Sequence, residues 1–272
     1  MLFNYLKDIG DGTIGKETPD CSVTPVKKST EYVTVSTTDF FYPLVEDPFK
    51  QGEIACCNVL SDLYSMGITY VDNILMILGV SLQMKEKERE VITREMIRGF
   101  NSKAIEAGTK VTGGQSVMNP WPMIGGTAIS VVKNSDVIYP NNAKEGDAIV
   151  LTKPLGTQVA VNLAQWLIED NNTWNKCKQI FNTEEEVWRL FSIAEVSMSR
   201  LNLNAAKLMN KYKDRIGCCT DVTGFGIKGH VENLAVAQKK ELKFIIDKLP
   251  VISKMNIIND NIFCFILNID IW

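Results

Sequence analysis

Apolar and polar positions along this chain fall into patterns that mark strands and helices. Residues 32–36 (YVTVS) are β-branched and aromatic, a composition suited to a pleated, buried strand that Asp39 then closes. After Pro43 and Pro48, the apolar residues Ile54, Val59, Leu60, Leu63 and Met66 recur near helical spacing. They predict a helix from about Gly52, with Gly67 placed to end it. Residues 73–82 (NILMILGVSL) read as a buried strand. Residues 85–108 read as a helix with an apolar stripe at Val91, Ile92, Met96, Ile97 and Phe100, a solvated charged face, and Gly108 at its end. A strand and loop follow at 111–121, then another strand at 122–133.

The polar stretch 134–147 (NSDVIYPNNAKEGD) reads as a linker to a second unit. That unit is expected to begin with a strand and a Lys-Pro-Leu-Gly turn at 148–156. Helices are expected over 157–169, 183–199 and 200–214, with Trp166, Trp174 and Trp188 as packing residues. A further helix runs from about Gly226. Ahead of everything, residues 1–30 are polar and glycine-bearing, and predict an ordered loop leading into a short strand at 21–26. No repeat of solenoid period is present.

Composition narrows the class. A chain of 272 residues with 45% hydrophobic and 22% charged residues is globular and long enough for one large or two ordinary domains. A net charge of −3 leaves no basic footprint for nucleic acid, and no apolar run is long enough to span a bilayer. The first residues, MLFNYLKDIGDG, carry too short an apolar part for a signal peptide, so the expected location is the cytoplasm. Seven cysteines without C-x-x-C spacing suit reduced, mostly buried thiols. A single histidine, His230, excludes any site that needs two.

Within this frame certain polar residues stand out. Asp39, Asp47, Asn58, Ser61 and Asp62 are small oxygen donors in an otherwise apolar segment. Two readings stand open: turn and surface residues, or hard oxygens converging on Mg²⁺, since a buried carboxylate needs a cation or donors. The same choice applies to Asp20, in a surface turn or a phosphate and metal loop, and to Asp221, a cap or a ligand. Gly113 and Gly114 form a turn or let backbone N–H groups approach an anion. Lys153 is an exposed loop lysine or a phosphate contact. His230 reads as a packed histidine rather than a base.

The wording of these segments adds a further signal. TTDFFYPLVEDP (37–48) with GEIACCNVLSDLYSMG (52–67), then VTGGQSVMNPW (111–121), LTKPLGTQVA (151–160) and TDVTGFGIKGH (220–230), closely resembles selenophosphate synthetase (selenide, water dikinase). The resemblance covers about residues 9–257. That family lies within a wider group of ATP-using enzymes with aminoimidazole ribonucleotide synthetase and thiamine-phosphate kinase.

The resemblance implies an α+β, two-domain synthetase-like fold: a mixed-sheet N-terminal domain (1–140) for ATP, metal and dimerisation, and a truncated α/β sandwich (147–272). It implies selenophosphate formation from selenide, ATP and water with release of AMP and phosphate. It assigns Mg²⁺ to Asp20, Asp62 and Asp221. It assigns ATP contacts to Thr18, Pro19, Asp20, Asp39, Asp62, Gly113, Gly114, Gln115 and Ser116, the last four across a homodimer interface.

The family's Cys- or Sec-bearing glycine-rich segment and its lysine have no match upstream of Asp20, and residues 256–272 depart from the family pattern. The expectation is therefore an incomplete product, aggregation-prone or reliant on dimerisation, without an identifiable catalytic nucleophile. Two alternatives remain: a non-catalytic nucleotide-binding partner in selenium metabolism, and another small-molecule kinase of the wider group.

Overall fold

In the computed structural model, residues 20–262 and 270–271 are described. Thr18 and Pro19 lie outside them, as does most of the glycine-bearing leader.

The first unit is a five-stranded mixed sheet with two helices packed on it. Strands β1 (Ser22–Pro25), β2 (Tyr32–Phe41), β3 (Asn73–Ser81), β4 (Val111–Asn119) and β5 (Met123–Lys133) lie in the order β1-β2-β5-β3-β4. All neighbours are antiparallel except β3 and β4. A parallel pair needs a crossover, and helix α2 (Glu86–Glu106) supplies it. Helix α1 (Pro48–Ser65) packs against both α2 and the sheet.

Strand β2 runs past Asp39, which the sequence had closing it, and pairs with β5 as far as Phe41 opposite Ile124. Its alternation places Val33, Val35, Thr37 and Asp39 on one face, toward the helices. This extension carries Thr37 and Asp39 to the site. Helix α1 likewise begins four residues before the expected Gly52. Asp47 accepts hydrogen bonds from the Phe49 and Lys50 N–H groups at 2.8 and 3.3 Å, and Pro48 occupies the first turn, where its missing N–H costs nothing. Gly67 ends the helix at φ +76°, donating to Tyr64 O while Ile68 N–H reaches Leu63 O.

Helices α1 and α2 approach so closely that side chains are excluded at their crossing. A Cβ on Gly52 would lie 2.0 Å from Met96 O, and one on Gly99 would lie 1.9 Å from Phe49 O. The crossing turns Met96, Gly99, Phe100 and Ala104 inward. Val91 and Ile97, expected in the buried stripe, are instead exposed.

The second unit holds helices α3 (Thr157–Glu169), α4 (Asn172–Cys177), α5 (Glu184–Met198), α6 (Leu203–Lys211), α7 (Gly226–Val236) and α8 (Met255–Ile262). Strands β6 (Phe244–Ile245) and β7 (Asp270–Ile271) pair antiparallel. The short α4 was not foreseen. Among the described residues the strand expected at the start of 148–156 does not form: Val150 is exposed, and the only pairing there is an isolated bridge from Leu155 to Val251. An apolar run without a partner strand has no ladder to join. A second core gathers Leu163, Trp174, Val187, Leu190, Met255 and Ile258. Trp188, expected to pack, is half-exposed and meets Phe191 edge-on. The 200–211 segment folds back, and Leu201 and Ala206 enter the first core.

Candidate metal and nucleotide site

Three chain segments far apart in sequence bring carboxylates together. Asp20 precedes β1, Asp62 lies on α1, and Asp221 lies in the loop before α7. One oxygen from each lies within 4.8 Å of the others. Helical spacing places Ser65 one turn beyond Asp62, on the same face. Its Oγ lies 2.9 Å from Asp20 Oδ2 and 2.7 Å from the Asp62 carbonyl oxygen, and its single proton serves one of these two acceptors at a time. Thr220 Oγ1 donates to Asp20 Oδ1 at 3.0 Å, binding the second unit's loop to the start of the first. Thr37 Oγ1 donates to Asp62 Oδ2 at 2.6 Å, and Asn58 Nδ2 donates to Asp39 Oδ2 at 3.1 Å. Thus β2 and α1 place Asp39 at the border of the same cluster.

The electrostatics are unbalanced. Among the described residues none of these four carboxylates enters an ion pair. Burial, then the negative charges of Asp221 and Asp39, push Asp62 up to about 9, against the Thr37 hydrogen bond. Burial, then Asp20, pushes Asp221 up to about 6. Burial also raises Asp20 and Asp39. Asp221 Oδ2 is buried and takes no hydrogen bond among the described residues. Hard, partly buried oxygens with an orphaned acceptor and no cationic partner are a donor set that fits a divalent cation such as Mg²⁺.

The remaining candidates fall elsewhere. Gly113, Gly114, Gln115 and Ser116 lie within β4, at the sheet edge opposite β1, and not in the expected loop. They are exposed and line an open hollow of about 320 Å³ with Met76 and Ile97. Gly114 has a backbone reason of its own: φ is +144°, and a Cβ there would lie 1.9 Å from Met76 O. Within one copy of the chain these residues do not meet the acidic cluster. Asp47 is the N-cap of α1.

Lys153 Nζ donates to Arg200 O, and burial pushes the lysine down to about 8, so it is engaged with backbone. His230 is buried, as expected, and accepts at Nε2 from Thr223 N–H at 3.0 Å, which holds the loop carrying Asp221. Thr37, Ser65 and Thr220 were not singled out from the sequence. Thr37 lies two residues before Asp39 on one strand face, and Thr220 is next to Asp221, so spacing carried a signal for both. No helix of the described residues is long and apolar enough to cross a membrane.

Comparison with known proteins follows the same lines. The family model described as AIR synthase related protein, N-terminal domain, matches residues 19–132, and that of the C-terminal domain matches 144–270. The chain is 49% identical over 261 residues to a selenide, water dikinase of Dictyostelium discoideum, covering 96% of this chain and 69% of the relative. It is 55% identical over 221 residues to selenide, water dikinase 3 of Danio rerio, covering 81% of this chain and 48% of the relative. The chain thus spans about half the length of several curated relatives it matches. Thiamine monophosphate kinase from Aquifex aeolicus shares the fold at a TM-score of 0.66 and 15% identity, over 95% of this chain and 79% of that one. A chain of a HypE–HypF complex does so at 0.65 and 14%, over 95% and 77%.

Proposed function

The chain belongs to the selenide, water dikinase family, within the AIR synthase related proteins, and on that premise we propose that it takes part in ATP-dependent formation of selenophosphate from selenide and water, with release of AMP and phosphate. The observation that carries this reading is the convergence of Asp20, Asp62 and Asp221, none of which enters an ion pair among the described residues. These three carboxylates would hold Mg²⁺. Bound there, the ion supplies neutralisation and orientation of a polyphosphate, which is most of what phosphoryl transfer asks of a protein.

The chain's own residues prepare that task. Thr37 and Ser65 fix the rotamers of Asp62 and Asp20 by hydrogen bonds. Asp39, held by Asn58, borders the cluster as a further nucleotide contact. His230 pins the loop that presents Asp221. Thr18 and Pro19, immediately before Asp20, would lie along the same nucleotide. Gly113, Gly114, Gln115 and Ser116 stand at the opposite sheet edge, so they would complete a nucleotide site from a second copy, which makes a homodimer the working assembly. The free thiols suit a reducing compartment such as the cytoplasm.

The test is selenide-dependent AMP release from ATP by the whole chain with Mg²⁺. AMP formed only when both selenide and Mg²⁺ are present supports the reading. ADP formed with another small-molecule acceptor, or ATP bound without turnover, counts against it.

A further inference from the structure

Asp221 reaches the acidic cluster on a loop and not on a helix or strand, so whatever shapes that loop sets the position of its carboxylate. On one side of Asp221 the loop is tied by Thr220, whose Oγ1 meets Asp20 Oδ1 at 3.0 Å. On the other side two consecutive residues of α7, Gly229 and His230, act on it. The Thr223 N–H donates to His230 Nε2 at 3.0 Å, and Thr223 Oγ1 stands 3.3 Å from the same nitrogen. A backbone N–H can only donate, so Nε2 carries no proton and the ring is the tautomer protonated at Nδ1. His230 is 7% exposed, and the Phe225 ring lies against it with 5.7 Å between centroids.

Gly229 acts by what it lacks. A Cβ there would lie 2.8 Å from Phe225 Cβ. A Cβ moves only with its own backbone, so a side chain at 229 would push on the loop and not merely turn a ring. Gly224, in the same loop, differs: a Cβ there meets nothing within 4 Å. The turn closes with the Gly226 N–H donating to Thr223 O at 3.0 Å, Gly226 itself standing at φ +67°. The loop is thus drawn in at Thr223 and given room at Phe225 by neighbouring positions of one helix.

We propose that Gly229 and His230 are positioning residues for the divalent-cation site: His230 Nε2 holds the Thr223 N–H, Gly229 leaves space for Phe225, and together they set where the loop presents Asp221 to Asp20 and Asp62. The histidine serves as a fixed acceptor, neither a metal ligand nor a base. The proposal rests on the metal reading given above.

The experiment is Mn²⁺ binding to the full chain, followed by the electron paramagnetic resonance of the free ion, with hydrogen exchange at the Thr223 amide measured in chelator. His230→Leu should weaken Mn²⁺ binding on the order of 10- to 100-fold, the usual cost of losing a group that orients a ligand. Glutamine can place its side-chain oxygen where Nε2 stands, whereas asparagine reaches only as far as Nδ1. His230→Gln should therefore restore most of the affinity and the protection of the Thr223 amide, and His230→Asn should restore neither. Gly229→Ala should weaken Mn²⁺ binding, and Gly224→Ala should leave it within about twofold.

A folded His230→Leu or Gly229→Ala that binds Mn²⁺ as the wild type does overturns the proposal. So do equal losses in His230→Gln and His230→Asn, or a loss in Gly224→Ala as large as that in Gly229→Ala. If His230→Leu does not fold, the glutamine and asparagine pair decides. A Thr223 amide that exchanges as fast in the wild type as in His230→Asn removes the anchor, and overturns the proposal with the metal reading intact. A wild-type chain that protects this amide yet binds no Mn²⁺ overturns the metal reading itself, and this inference with it.

Discussion

Replacing Asp62 with asparagine should stabilise the metal-free protein while removing its response to Mg²⁺. The folded chain holds Asp62 buried among Asp221, Asp39 and Asp20, and its pKa rises from 3.8 to about 9. A carboxyl group raised on folding binds more protons in the native state than in the unfolded one. Stability therefore falls as pH rises from about 4 through the raised value, and the loss is complete above it. At pH 7 the gap from the unfolded value is roughly three pH units, which at about 1.36 kcal/mol per unit sets a ceiling near 4 kcal/mol. Relaxation and solvent entry bring the realised cost to about 1–3 kcal/mol.

Asparagine is nearly isosteric, carries no charge, and still offers an oxygen to Thr37 Oγ1. At about 2–4 °C per kcal/mol for a chain of this size, Asp62→Asn should melt roughly 2–12 °C higher in chelator at pH 7. With millimolar Mg²⁺ the wild type should gain stability by mass action and the variant should gain none. A variant that melts lower than the wild type in chelator, or that gains as much from Mg²⁺, would refute the electrostatic reasoning.

Other expectations follow from the same structure. Metal-free wild-type protein should lose stability between about pH 4 and 6 as Asp221 ionises, its pKa raised to about 6, and Asp62→Asn should keep that part of the slope; melting curves across pH check it. Thr37→Val removes the 2.6 Å bond to Asp62 and should weaken Mg²⁺ binding about tenfold, read by calorimetric titration. Gly52→Ala places a methyl group 2.0 Å from Met96 O at the α1–α2 crossing and should cost about 1–3 kcal/mol in urea unfolding. Leu163→Ala, in the fully buried second core, should cost about 2–5 kcal/mol by the same measurement.

Much of the first unit was legible because its elements carry strong local signals. Strands at 73–82 and 122–133 and the helix at 85–108 were each within a few residues of the structure. Where the pattern misled, glycine is one cause. Gly52 and Gly99 contribute nothing to an apolar stripe, yet their close approach decides which face of α2 is buried. The apolar run at the start of 148–156 resembled a strand because periodicity does not reveal whether a partner strand exists. At the site, motif wording brought Asp20, Asp62 and Asp221 forward, whereas spacing alone left each of them open between a turn, cap or surface residue and a metal ligand. No local rule relates positions about 40 and 160 residues apart. The hydroxyls of Thr37 and Ser65 were legible in principle from strand and helix periodicity.

The claim on which the rest depends is that the carboxylates of Asp20, Asp62 and Asp221 bind a nucleotide through a divalent ion. Its most direct measurement is ATP affinity by equilibrium titration, without selenide, with and without Mg²⁺, in the wild type and in Asp20→Asn, Asp62→Asn and Asp221→Asn. The account expects Mg²⁺ to tighten ATP binding in the wild type and to have little effect in any of the three variants. Equal ATP affinity with and without the metal in the wild type, or an undiminished Mg²⁺ effect in all three variants, would contradict it.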